Sequence, residues 1–96
     1  MVEIRQTARY SRWFESLRDR QAQVRILVRL RRLQEGNPGQ HRVLTAGVVE
    51  MKIDHGPGYR VYYTWRAGCV VLLLVGGDKS TQDSDIREAL DMVKEL

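Results

Sequence analysis

Arg60 and Tyr62 stand two residues apart in the segment GPGYRVYYTW, residues 56–65. On a strand that spacing puts both side chains on one face. Glu50 and Lys52 repeat the spacing in VVEMKID, residues 48–54. Gly56, Pro57 and Gly58 between the two segments form a turn. The strands therefore fold back on each other, and the four side chains can converge. Lys79, just beyond a later apolar run, could close the cluster. A guanidinium fork grips phosphate or carboxylate bidentately, and a carboxylate, phenol or ammonium can move protons. The plainer alternative is a decorated sheet face, with Arg60 paired to Glu50 across strands for about 0.2–1 kcal/mol. Alternation also requires at least one of Tyr62 and Tyr63 to face the core.

The elements that would position this cluster can be read along the chain. VEIRQT, residues 2–7, alternates and predicts a short strand, with Thr7 as the cap of a following helix. Tyr10, Trp13, Phe14 and Leu17 form an amphipathic stripe. LRDR, residues 17–20, is a break. A second helix is expected from about Arg20 to Glu35, its core stripe Ala22, Ile26, Leu30 and Leu33 supported by Leu27. Gly36, Asn37, Pro38 and Gly39 end it, and the two helices should form a hairpin. Period two then takes over. HRVLTAG and VVEMKID predict one or two strands, YRVYYTW another, and CVVLLLV a central, fully buried one in which Cys69 is a small core residue. A last helix follows GGDKS, capped by Ser80 or Thr81, with Ile86, Leu90 and Val93 inward. The order β-α-α-β-β-β-α predicts an α+β domain: a helical hairpin and a C-terminal helix on one face of a mostly antiparallel sheet of three or four strands.

The 96 residues bound this to one domain, 1–96. No signal peptide and no apolar run of membrane-spanning length is expected, which points to the cytoplasm. One cysteine and two histidines at no ligand spacing give no metal site. His41 and His55 fall at loop positions with no evident partner. Net charge is +4, and 13 of the 16 basic residues are arginine. Residues 1–66 carry 13 basic and 6 acidic side chains, a net of +7; residues 67–96 carry 3 and 6, a net of −3. That asymmetry suggests a polyanionic partner. A bland excess of arginine is the competing explanation.

Several stretches together carry a resemblance. RLRRLQEGNPGQHRVLTAGVVEMKIDHGPGYRVYY and LLLVGGDKSTQDSDIREAL resemble toxins of bacterial toxin–antitoxin modules, the RelE/ParE superfamily, and within it the phage-derived, HigB-like "addiction module killer" branch. The similarity runs from about Trp13 to Leu90, with GNPG, GPGYRVYY and GGDKSTQ in matching order and spacing. It implies a RelE/ParE-like fold, a ribosome-dependent endoribonuclease that cuts mRNA without a cofactor, and a small antitoxin, expected to be a helix-turn-helix protein encoded nearby. ParE-like members instead poison DNA gyrase, and an inactive phage-derived relative would only bind its partner; fold alone does not separate these.

Carried over residue by residue, the resemblance implies that Arg60 contacts the scissile phosphate and that Lys52 supplies a second cation. Glu50 would be a base, with Tyr62 beside it, and Lys79 would occupy the acid–base position after the last strand. The arginines Arg18, Arg25, Arg29, Arg32 and Arg42 would contact RNA phosphates. Plainer alternatives stand beside these: Asp78 pairing with Lys79 or capping the last helix, and a solvated arginine face on the second helix.

Overall fold

The chain runs β1 (Glu3–Gln6), α1 (Ala8–Ser16), α2 (Arg20–Gln34), β2 (His41–Val43), β3 (Val48–Ile53), β4 (Tyr59–Arg66), β5 (Val70–Gly77) and α3 (Gln82–Lys94). Single 3-10 turns occupy Thr45–Gly47 and Lys79–Thr81. The computed structural model describes residues 2–96. The strands form one sheet in the order β1-β5-β4-β3-β2. β1 lies parallel to β5, and every other pairing is antiparallel. The α+β architecture agrees with the sequence reading, but both short strands, β1 and β2, join the sheet and bring it to five.

Local chemistry sets the helix boundaries. The Thr7 hydroxyl accepts from Tyr10 N–H and so caps α1. The same hydroxyl donates to the Leu74 carbonyl at 2.7 Å, which ties the start of α1 to β5. Asp19 accepts from the N–H groups of Gln21 and Ala22 and starts α2. Gly36, at φ 92°, takes the left-handed conformation that stops it.

The helices lie on both faces of the sheet, which corrects the one-face expectation. α1 and α2 cover Val49, Met51, Ile53, Val61, Tyr63, Val71 and Leu73. α3 covers Val48, Tyr62, Leu74 and Val75, with Ala89 at its centre. A strand as apolar on both faces as β5 needs cover on both. In β5 the register slips between Tyr62↔Val75 and Tyr63↔Leu73, so Leu74 has no partner. This bulge turns both Leu74 and Val75 towards α3. β4, not β5, is the middle strand. Leu27 is exposed rather than core, and Cys69 is exposed in the β4–β5 turn. In each case the periodicity allowed burial, but no element among the described residues faces the position to provide it.

Gly76 and Gly77 bring the two layers close. A Cβ on Gly76 would overlap the Trp13 ring, and one on Gly77 would overlap the Asp85 carboxylate. Consecutive residues point to opposite faces, so one glycine admits α1 and the other α3.

Candidate active site

The side chains of Glu50, Lys52, Arg60 and Tyr62 all come to the α3 face of the sheet, as the period-two spacing requires. Register pairs Glu50 with Tyr62 and Lys52 with Arg60. Glu50 is therefore diagonal to Arg60, not directly opposite it. The N-terminal turn of α3 brings in Gln82, and β2 brings in Arg42, which is opposite Glu50.

Glu50 is the hub and is 5% exposed. Its Oε2 accepts from the Tyr62 hydroxyl at 3.0 Å and from the Gln82 amide at 2.9 Å. Its Oε1 meets Arg42 Nη2 at 3.1 Å. Arg60 Nε stands 3.8 Å from Oε2, an ion pair longer than a hydrogen bond. Tyr62 is completely buried beneath the cluster. Burial, reinforced by the Glu50 charge and hydrogen bond, pushes its phenol well above the usual range, so it stays a neutral donor.

Arg60 is buried, 7% exposed, and so does not simply decorate the sheet surface. Its Nη1 donates to the Gly58 carbonyl at 2.7 Å, so the hairpin turn fixes the guanidinium plane. Its Nε is buried without a hydrogen-bond partner among the described residues. Nη2 makes no hydrogen bond among the described residues, yet is not sealed off as Nε is. It is the open prong of the fork.

A cleft of about 290 Å³ lies over this cluster, lined by Gln40, His41, Arg42, Glu50, Lys52, Arg60 and Gln82. Three cations face one carboxylate, so the cleft has a surplus of two positive charges. Lys79 stands outside the lining. It is exposed on the 3-10 turn that Asp78 caps, its Cβ packed near Gly58. Asp78 neither pairs with Lys79 nor caps α3 itself; it caps the 3-10 turn that leads into α3, and Thr81 holds the N-cap position of the helix.

The expected RNA-contacting arginines separate. Arg18, Arg25 and Arg32 are exposed away from the cleft. Arg29 is not free. Its Nη1 donates to the Lys52 carbonyl at 2.7 Å and its Nη2 to the carbonyls of Gln40 and Pro38, at 2.9 and 3.3 Å. Burial, with the nearby Arg32 charge, pushes its pKa down from the ordinary arginine value. Arg29 thus buttresses β2 and β3, the strands that present Arg42, Glu50 and Lys52. His55 does have a partner, the Asp19 carboxylate at 3.0 Å, and stacks on Tyr59. His41 lies on β2 at the rim, its Nδ1 2.8 Å from the Gly39 carbonyl.

Sequence reading missed Gln82 and Gln40. A glutamine carries no signal of its own, and only the sheet order and the placement of α3 bring these two to Glu50 and the cleft.

Comparison with known proteins gives three likenesses. The family described as "Phage derived protein Gp49-like (DUF891)" matches residues 12–94. An uncharacterized protein of Haemophilus influenzae is 42% identical over 95 residues, 99% of this chain and 96% of that protein. A chain in the crystal structure of the intact E. coli RelBE toxin–antitoxin complex superposes with a TM-score of 0.67. The match covers 81% of this chain and 96% of that one, at 18% identity, a likeness of fold.

Proposed function

The chain belongs to the phage-derived Gp49-like family and has a RelE-like fold, and from that premise we propose that it is the toxin of a toxin–antitoxin module. Its activity in this reading is HigB-like: ribosome-dependent endonucleolytic cleavage of mRNA in the cytoplasm, held in check by a small antitoxin. The observation that carries the reading is the cleft of Arg42, Lys52 and Arg60 around buried Glu50. A surface that only binds protein has no need of a rigid, partly sheltered excess of cations.

The chemistry follows from which groups are free. Attack of a ribose 2′-oxygen on the adjacent phosphorus, its proton passing to water, forms a phosphorane; the bond from phosphorus to the 5′-oxygen then breaks and that oxygen takes a proton from Lys79 or water, so negative charge grows on the phosphoryl oxygens in between. The open Nη2 of Arg60 and the ammonium of Lys52 are the donors aimed at that charge, and a preorganised donor stabilises a transition state without reorganising. Arg42, exposed at the rim, meets a flanking phosphate. Glu50 and Tyr62 are anchors. The carboxylate already accepts from Tyr62, Gln82 and Arg42, and it holds the cations in place rather than taking the 2′-proton. Lys79, outside the lining but beside the Gly58 turn, is close enough to the Arg60 end of the cleft to approach the leaving side of a bound strand.

Purified protein incubated with programmed ribosomes, with cut sites mapped by primer extension, tests this. Cuts within the ribosome-bound mRNA are expected, and Arg60→Ala should remove them. Intact mRNA together with gyrase-dependent DNA breaks would replace this reading with the gyrase-poison one.

A further inference from the structure

α2 carries a second apolar stripe that nothing among the described residues covers. Its inner side, Ala22, Ile26, Leu30 and Leu33, is buried. On its outer side Val24, Leu27 and Val28 are 58%, 54% and 42% exposed. Spacings of three and four residues align these three along the helix. Arg20 and Arg31 extend the same line by one turn at each end, and Arg25 and Arg32 flank it. These four arginines are exposed, and none forms an ion pair among the described residues. α2 itself has no acidic residue. Two shallow grooves of about 420 and 310 Å³ meet at Val24 and Arg25, the second reaching Val28, Arg32 and the end of β3 at Ile53.

We propose that this face of α2 docks an amphipathic helix of a partner protein, with aliphatic residues on its buried stripe and Asp or Glu along its edge. The inference rests on the toxin reading, in which that partner is the antitoxin. Two features together select this occupant. Adjacent exposed aliphatic side chains favour a partner that removes them from water. They have no planar surface on which a base could stack, which an RNA platform would supply. The arginines on the same face outnumber the one carboxylate in the groove, Asp54, with which none of them pairs among the described residues. They call for acidic groups opposite them, and a helix laid in a groove presents both chemistries at once. The catalytic cleft opens on the other face of the sheet, so the two surfaces can be altered separately.

The protein is co-expressed with the product of the reading frame adjacent to its gene, and affinity is measured by calorimetry for three forms: wild type, Val24→Asp with Leu27→Asp, and Arg25→Glu with Arg32→Glu. Circular dichroism melts confirm that the variants fold. Each double variant should weaken the complex at least about tenfold, the size of an interface hot spot. The aspartate variant should still cut mRNA on ribosomes at the wild-type rate. A complex of wild-type affinity in both variants overturns the inference while leaving the toxin reading intact. Slower cleavage by the glutamate variant, with affinity unchanged, assigns the face to RNA and overturns it. So does a wild-type homodimer that the aspartate variant dissolves, because the occupant is then a second copy. If the wild type neither binds that product nor arrests growth, the toxin reading fails first and this inference falls with it.

Discussion

Arg60 combines two demands that usually pull apart. One prong of its fork is tied to Gly58, its Nε lies 3.8 Å from Glu50, and its other prong is open. Removing it should therefore damage both stability and activity. Loss of a charged hydrogen bond in a buried setting is expected to cost about 1–3 kcal/mol. Loss of a preorganised donor should slow cleavage about 10² to 10³-fold. Arg60→Lys should recover part of the stability but little of the rate, because one ammonium cannot bond the Gly58 carbonyl and reach a phosphate as a fork does. Thermal melting and single-turnover cleavage on the same two variants separate the effects, and full cleavage by Arg60→Ala would end the assignment. Glu50→Gln asks a different question. The amide oxygen can still accept from Tyr62, so the anchor is partly kept while the charge is lost. Cleavage within about tenfold of wild type is expected for an anchor; a loss of about a hundredfold or more would make Glu50 the base.

Between elements, the closest fit is at the end of β5. Gly76→Ala should drive a methyl into the Trp13 ring and cost about 1–3 kcal/mol, an overpacking penalty. Trp13→Leu in the same chain should return part of that, and a double-mutant cycle of melts would measure the coupling. On the α3 side, burial pushes the Asp85 carboxyl up from its ordinary value despite the hydrogen bond from Thr81. A raised folded-state pKa favours the fold while the group is protonated, and that contribution disappears as pH rises through the folded value. Above that value the ionised carboxylate weakens the fold relative to a neutral side chain. Asp85→Asn should melt higher than wild type at pH 7, with the gap closing as pH falls into the carboxylate range; an equal gap at both pH values would refute it. Much at this scale was legible from local signals, because caps and stripes are short-range: Thr7, the Tyr10 stripe, the α2 core and the alternation of Glu50 and Lys52 against Val49 and Met51 were all readable. What was not legible depends on distant partners. The parallel docking of β1 on β5, the cover of both sheet faces, the exposure of Leu27 and Cys69 and the burial of Arg60 follow from which elements meet. Period two could place Arg60 on the right face but could not reveal that Gly58 holds it and that Glu50, itself held by Gln82, stands beside it.

For the whole molecule, charge is segregated along the chain. Residues 1–66 have a net charge of +7 and residues 67–96 of −3. The acidic stretch includes α3, with Asp83, Asp85, Glu88 and Asp91, while α2 is basic without exception. A polyanion approaching this protein is therefore repelled by α3 itself and drawn to the cationic patches beside and opposite it. The cleft and α2 are two separate basic surfaces, and salt dependence can tell which of them takes RNA. Each phosphate neutralised on a single strand contributes roughly −0.7 to the slope of log affinity against log salt. If only Arg42, Lys52 and Arg60 engage the strand, the slope should be roughly −2. Lys52→Gln should make it shallower by about 0.7, with a similar loss for any sequence, because a phosphate contact carries no base information. Arg25→Gln with Arg32→Gln should leave it unchanged. Fluorescence anisotropy of a labelled single-stranded RNA over a series of salt concentrations gives all three slopes. A wild-type slope much steeper than −2 that flattens in the α2 variant would move RNA onto that helix and would leave the acidic partner without its docking face.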